Sequence, residues 1–169
     1  QWRTAFAEHM IGGELAESIN ELNAWVYQLN NLKTWCDLLD TYEEKDAGAL
    51  RFHFVEPLVR YCMFQPSSTR DRLARVATNG VHQANLAVDT DYKDVLDQDK
   101  PQKRRFPSRK MIEAQLERLV KPWVLGNSLM IALRRLDSEK HRQATLDYRN
   151  KASHFIAPRL EFGEVQLVK

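Results

Sequence analysis

The segment GELAESINELNAWVYQLNNLKTWCDLLD, Gly13–Asp40, decides the fold class. Its apolar residues fall at Leu15, Ile19, Leu22, Trp25, Leu29, Leu32, Trp35 or Cys36, and Leu39. Steps of three and four residues place these side chains along one stripe of an α-helix. At 1.5 Å per residue the helix is ~40 Å long. Gly12-Gly13 is expected to punctuate its start. A stripe sustained over so many turns suits a helical bundle or the seam of a dimer.

The rest of the chain continues in the same manner. Thr41 to Asp46 is polar and reads as a turn. A second helix carries Leu50, Phe54, Leu58 and Tyr61 on one face, and Pro57 is expected to kink or divide it. Gln65-Pro66-Ser67-Ser68 reads as a break. Ser68 is placed to cap a third helix, with Asp71 completing a box-like start. That helix carries Leu73, Val76, Ala77, Val81, Ala84 and Val88. Asp89 to Lys110 lacks an apolar face, its first half acidic and its second half basic. Helical periodicity resumes at Met111, Ile112, Gln115, Leu116, Leu119 and Val120, with Pro122 as the next boundary. Trp123 to Leu136 is strongly apolar and reads as a buried helix, with Trp25, Trp35 and Trp123 as core residues. Asp137-Ser138 opens a last helix, which Pro158 stops. The tail from Leu160 to Val168 alternates in part, as a short extended piece or hairpin would. The fold class is therefore all-α: an up-and-down bundle of about five or six helices with a short extended C-terminal tail. Residues 1–169 are read as a single helical domain with a charged insert at 89–110.

Composition agrees with a globular chain. Of 169 residues, 43% are apolar and 28% charged, and six Gly with six Pro are too few for a turn-rich β fold. The net charge of +2 does not by itself imply a nucleic-acid partner. Cys36 and Cys62 lack a Cys-x-x-Cys spacing, so a disulfide framework or zinc site is not expected, and Cys36 reads as a small buried apolar residue. No metal and no cofactor are expected: the histidines have no ligand spacing, and Gly12-Gly13 lacks the pattern of a phosphate loop. No apolar run reaches the ~20 residues of a membrane span. Gln1-Trp2-Arg3 does not resemble a signal peptide. The expected location is cytoplasmic, and the absence of an initiator Met points to a start upstream in the native chain.

The chemistry concentrates in Tyr148-Arg149-Asn150-Lys151-Ala152-Ser153-His154. Arg149 offers a permanent charge and a planar fork of donors suited to phosphate oxygens. His154 can take or give a proton near neutral pH. Metal-free RNA cleavage requires a base for the ribose 2′-hydroxyl, an acid for the departing 5′-oxygen, and a cation for the charge developing on phosphorus. Arg149 can be the cation, His154 the proton carrier, and Asn150 the group that orients them. On a regular helix, residues five apart are separated by ~140° around the axis. The pair therefore meets one phosphate either where the helix distorts or ends near His154, or where two copies of the helix share a cleft.

Arg149-Asn150-Lys151-Ala152-Ser153-His154 resembles the Arg-polar-x-x-x-His signature of HEPN (higher eukaryote and prokaryote nucleotide-binding) domains, at Arg149, Asn150 and His154. The resemblance implies a helical bundle, frequent homodimerisation, and a metal-independent endoribonuclease centre at the dimer interface. Such domains occur in toxin–antitoxin, phage-defence and RNA-processing systems, which implies an antitoxin or other protein partner. Some members have lost catalysis and serve as modules that bind nucleotide, RNA or protein. Lys103, Arg104, Arg105, Arg109 and Lys110 are the candidate RNA-guiding residues, with Phe106 available to stack. The alternative for this segment is a solvated loop neutralised by its own acidic half.

Overall fold

The computed structural model describes residues 2–96, 107–154, 159–161 and 164–166; for 2–6, 154 and the last two ranges it describes the backbone. The chain is an all-α helical bundle. Its elements are α1 (Trp2–Leu39), α2 (Glu44–Leu50), a π-helical turn (Arg51–Val55), α3 (Glu56–Val88), α4 (Arg109–Leu119), α5 (Gly126–Arg135), α6 (Glu139–Ala144) and α7 (Tyr148–His154). Two three-residue strands, Arg159–Glu161 and Glu164–Gln166, pair antiparallel as the hairpin expected of the tail. Among the described residues no helix is long and apolar enough to cross a membrane. The chain divides into two compact units, each assembled from two stretches: Gln1–Asn20 with Thr69–Leu136 (unit 1), and Glu21–Ser68 with Asp137–Lys169 (unit 2).

Several boundaries differ from the sequence reading. α1 runs straight through Gly12-Gly13. Each glycine costs a helix only ~1 kcal/mol relative to alanine, about 2 kcal/mol for the pair, so flanking residues carry the helix across. The stripe on α1 is also only half covered. Leu22, Trp25, Leu32 and Trp35 are half-buried and Leu39 is buried, while Leu15, Ile19 and Leu29 are exposed. Cys36, expected inside, is exposed, and Cys62 is the buried cysteine.

In unit 2, α2 begins at Glu44, inside the segment read as a turn. Leu39, Ala47 and Val55 form its core, with Leu32, Trp35, Leu50 and Val59 packed around them. The π-helical turn explains why Val55 is buried rather than the expected Phe54. A π turn inserts one extra residue and so rotates the following side chains by one position. Phe54 instead stacks on Trp35, with ring centroids 5.2 Å apart and planes 8° from parallel. Pro57 does not divide the helix: it lies just after the π turn, in a helical run that continues from α2 into α3, where the widened turn accommodates its ring.

Pro66 does not break the chain. It lies inside α3, which continues unbroken to Val88, so Ser68 is not a cap. Pro66, Ser67 and Thr69 are all buried. The apolar residues of α3 buried on either side of Pro66, Cys62, Ala74 and Val76, hold the helix across a residue whose local penalty is ~3 kcal/mol. Asp71, expected in a capping box, forms an ion pair with Arg109.

Unit 1 has its core between α3, α4 and α5. Ala74, Ile112, Leu116, Val120, Met130 and Leu133 are buried together, with Leu73, Ala77 and Val81 against them. Of the periodic residues read there, Ile112, Gln115, Leu116 and Leu119 are the buried face of α4, Val120 is buried just beyond it and Met111 is half-buried. Arg70 joins the helices through a fork: Nε donates to Glu113 Oε1 at 2.7 Å and Nη2 to Oε2 at 2.8 Å. A third donor, Nη1, reaches Leu136 O at 3.2 Å.

The segment read as a buried helix from Trp123 begins instead as a turn. The helix starts at Gly126, and Val124 is 97% exposed. Trp123 N donates to Val120 O at 2.9 Å, and Gly126 N to Trp123 O at 2.9 Å. This tight path explains the glycine. A Cβ on residue 126 would lie 2.3 Å from Val120 O and 2.8 Å from Val120 Cβ. Gly126→Ala is therefore expected to force the turn apart and destabilise the protein by ~1–3 kcal/mol, the usual cost of overpacking. Urea denaturation measures this; an unchanged midpoint would show that the turn yields without cost.

Candidate functional site

The last predicted helix is two helices with a strained turn between them. Ser138 caps α6 as expected, its hydroxyl accepting from His141 N at 3.2 Å. α6 then closes in a Schellman arrangement. Asp147 N donates to Arg142 O at 2.7 Å and Leu146 N to Gln143 O at 3.2 Å. That geometry needs a left-handed residue, usually glycine. Here Leu146 and Asp147 supply it, with φ of 50° and 53°. A bulky side chain there costs on the order of 1–2 kcal/mol, and such strain gathers at functional sites. The turn was invisible in the sequence because no glycine marks it.

The reversal launches α7. Tyr148 N bonds Thr145 O at 3.0 Å and Lys151 N bonds Asp147 O at 3.1 Å. Tyr148 is 2% exposed and anchors the helix in unit 2. Burial pushes its phenol up from the ordinary 10.0; the Arg60 guanidinium opposes the rise and the Glu56 carboxylate adds to it. A phenol with a raised folded value keeps its proton while the unfolded chain ionises. Its stabilisation is complete below the unfolded value of about 10 and is lost as pH climbs through the folded one. Thermal melting temperatures are expected to fall above pH ~10, and Tyr148→Phe is expected to soften that fall. An equally steep fall in the variant would assign the loss to the other groups that burial raises, Tyr61, Tyr92 and Cys62.

Arg149 follows Tyr148 directly and is half-buried, with its Nε shielded from solvent. Asn150 is exposed. His154 is the last residue of α7; its side chain lies outside the described ones. Every residue from Tyr148 to His154 is helical, so Arg149 and His154 sit on one helical segment. Beside α7, an open hollow of about 630 Å³ is lined by Glu139, Arg142, Gln143, Leu146, Asp147 and Lys151. Its two cations and two carboxylates balance, and Arg142 is already bonded to Glu139.

The basic cluster is divided. Lys103, Arg104, Arg105 and Phe106 lie outside the described residues. Arg109 and Lys110, read as part of the insert, belong to the first turn of α4. Arg109 is held by Asp71, and Lys110 is exposed. The structure therefore leaves Lys110 as a solvent-facing cation of this group and gives Arg109 an ion pair. Among the described residues, no three His, Cys, Asp or Glu side chains come together as a metal-binding group. Compared with protein-family models, with curated proteins and with solved structures, the chain matches none.

Proposed function

We propose that this chain is a HEPN-like, metal-independent endoribonuclease that cleaves RNA by attack of the ribose 2′-hydroxyl, in a toxin or defence setting. The observation that supports it is the Arg149-Asn150-x-x-x-His154 motif, carried whole on one short helix at the end of an all-helical chain and launched by a strained turn. Arg149 stabilises charge on the phosphate, His154 transfers protons, and Asn150 positions them. Two copies of α7 facing each other supply separate acid and base histidines. The exposed Leu15, Ile19, Val26 and Leu29 of α1 support an association of that kind.

The test is incubation of purified protein with mixed RNA in a chelator. Cleavage leaving 2′,3′-cyclic phosphate ends is the expected result; intact RNA overturns the catalytic reading. A second reading is favoured by one observation, the partial burial of Arg149. In it the same scaffold binds nucleotide, RNA or a protein partner without turnover. RNA binding without cleavage, lost on Arg149→Ala, distinguishes it.

A further inference from the structure

Unit 1 holds a cavity of its own, about 510 Å³, walled by Tyr92, Leu119, Pro122 and Trp123. That size suits a small ligand. Its two aromatic rings are fixed from behind by polar groups on α3, one helical turn apart. His82 Nδ1 lies 2.9 Å from Tyr92 Oη. Trp123 Nε1 donates to Asn85 Oδ1 at 2.7 Å, and Asn85 Nδ2 donates to Leu119 O at 3.0 Å. His82 and Asn85 are buried, and a buried polar group is costly unless bonded. Here the bonds that repay the cost also set the orientation of each ring. Trp123 still leaves 39% of its surface open.

The edge of the cavity carries Asp89, Asp94 and Arg118, one net negative charge. Asp94 and Arg118 are 4.0 Å apart. Asp89 holds its own turn, accepting from Asp91 N at 2.9 Å. A phosphate or carboxylate would meet two carboxylates against one guanidinium, itself facing Asp94. A neutral apolar molecule would gain nothing from them. A cation with an apolar coat gains from both, since aromatic faces are negative and attract cations within ~6 Å of the ring centre.

We infer that this cavity binds the substituted-ammonium head of a small organic cation. The inference is independent of RNA cleavage, because none of its residues belongs to α7. The experiment is a proton NMR titration with tetramethylammonium chloride at constant ionic strength. Tert-butanol serves as the neutral probe of similar shape. A saturable upfield shift of the tetramethylammonium methyl signal is expected, as aromatic faces would produce. Tert-butanol is expected to bind at least ~10-fold more weakly, a difference of about 1.4 kcal/mol. Trp123→Ala is expected to abolish the shift. The double variant Asp89→Asn, Asp94→Asn keeps the indole in place and is expected to weaken binding several-fold, which covers the case in which the Trp123 variant fails to fold. No saturable shift, equal binding of tert-butanol, or undiminished binding by the double variant would each overturn the inference.

Discussion

His154→Ala is expected to slow RNA cleavage in chelator by ~10²–10⁴, the usual loss when one proton-transfer group is removed. The expectation follows from the division of labour within α7. A guanidinium cannot surrender its proton at cellular pH, so the acid and base steps fall to the imidazole. Arg149→Lys keeps the charge but loses the planar fork, and the same assay is expected to show a further substantial loss. Arg149 is half-buried, so its variants need a folding control; circular dichroism melts supply one. Cleavage that persists in His154→Ala would remove the histidine from the mechanism. A strict monomer by sedimentation would remove the shared cleft, since α7 is helical throughout and holds positions 149 and 154 ~140° apart around one axis.

Glu113→Ala is expected to cost ~3–5 kcal/mol of stability, read as a fall in the urea midpoint. Arg70 and Glu113 are each 12% exposed and bonded at both ends of the fork. Removing the carboxylate takes both charge-assisted bonds of the fork from a guanidinium packed inside α3–α4. The penalty comes from leaving a largely buried charge short of its bonds rather than from the worth of the pair. Replacing both partners, as Arg70→Met with Glu113→Leu, is therefore expected to recover most of the loss. A double variant no better than Glu113→Ala would show that the pair itself carries the stability.

The parts of this fold legible in the sequence are those set by local periodicity. Ile112, Leu116 and Leu119 recur at helical spacing, and the spacing alone names the buried face of α4. Ser138 is legible as a cap because its hydroxyl acts within one turn. Features that depend on distant partners were misread. Gly12-Gly13 and Pro66 look like punctuation, but the glycines yield to the helix on either side of them and the proline to packing along α3 that no local window displays. The buried residue is Val55 rather than Phe54 because a single inserted residue shifts the register, and nothing in Arg51–Val55 announces a π turn. Trp123 reads as core from its hydrophobicity; Pro122 immediately before it was the available sign of a turn. The site divides in the same way. Arg149, Asn150 and His154 are legible as a motif, whereas the partial burial of Arg149 and the left-handed Leu146 are tertiary facts.

The interleaved construction of the two units sets an order of assembly. Unit 1 has all of its stretches once residue 136 has been made, whereas unit 2 waits for residues 137–169, which carry α7. Tyr148, the buried anchor of that helix, therefore docks after every long helix already exists. On the ribosome, the stretches of unit 1 are complete before the residues of α7 have been made.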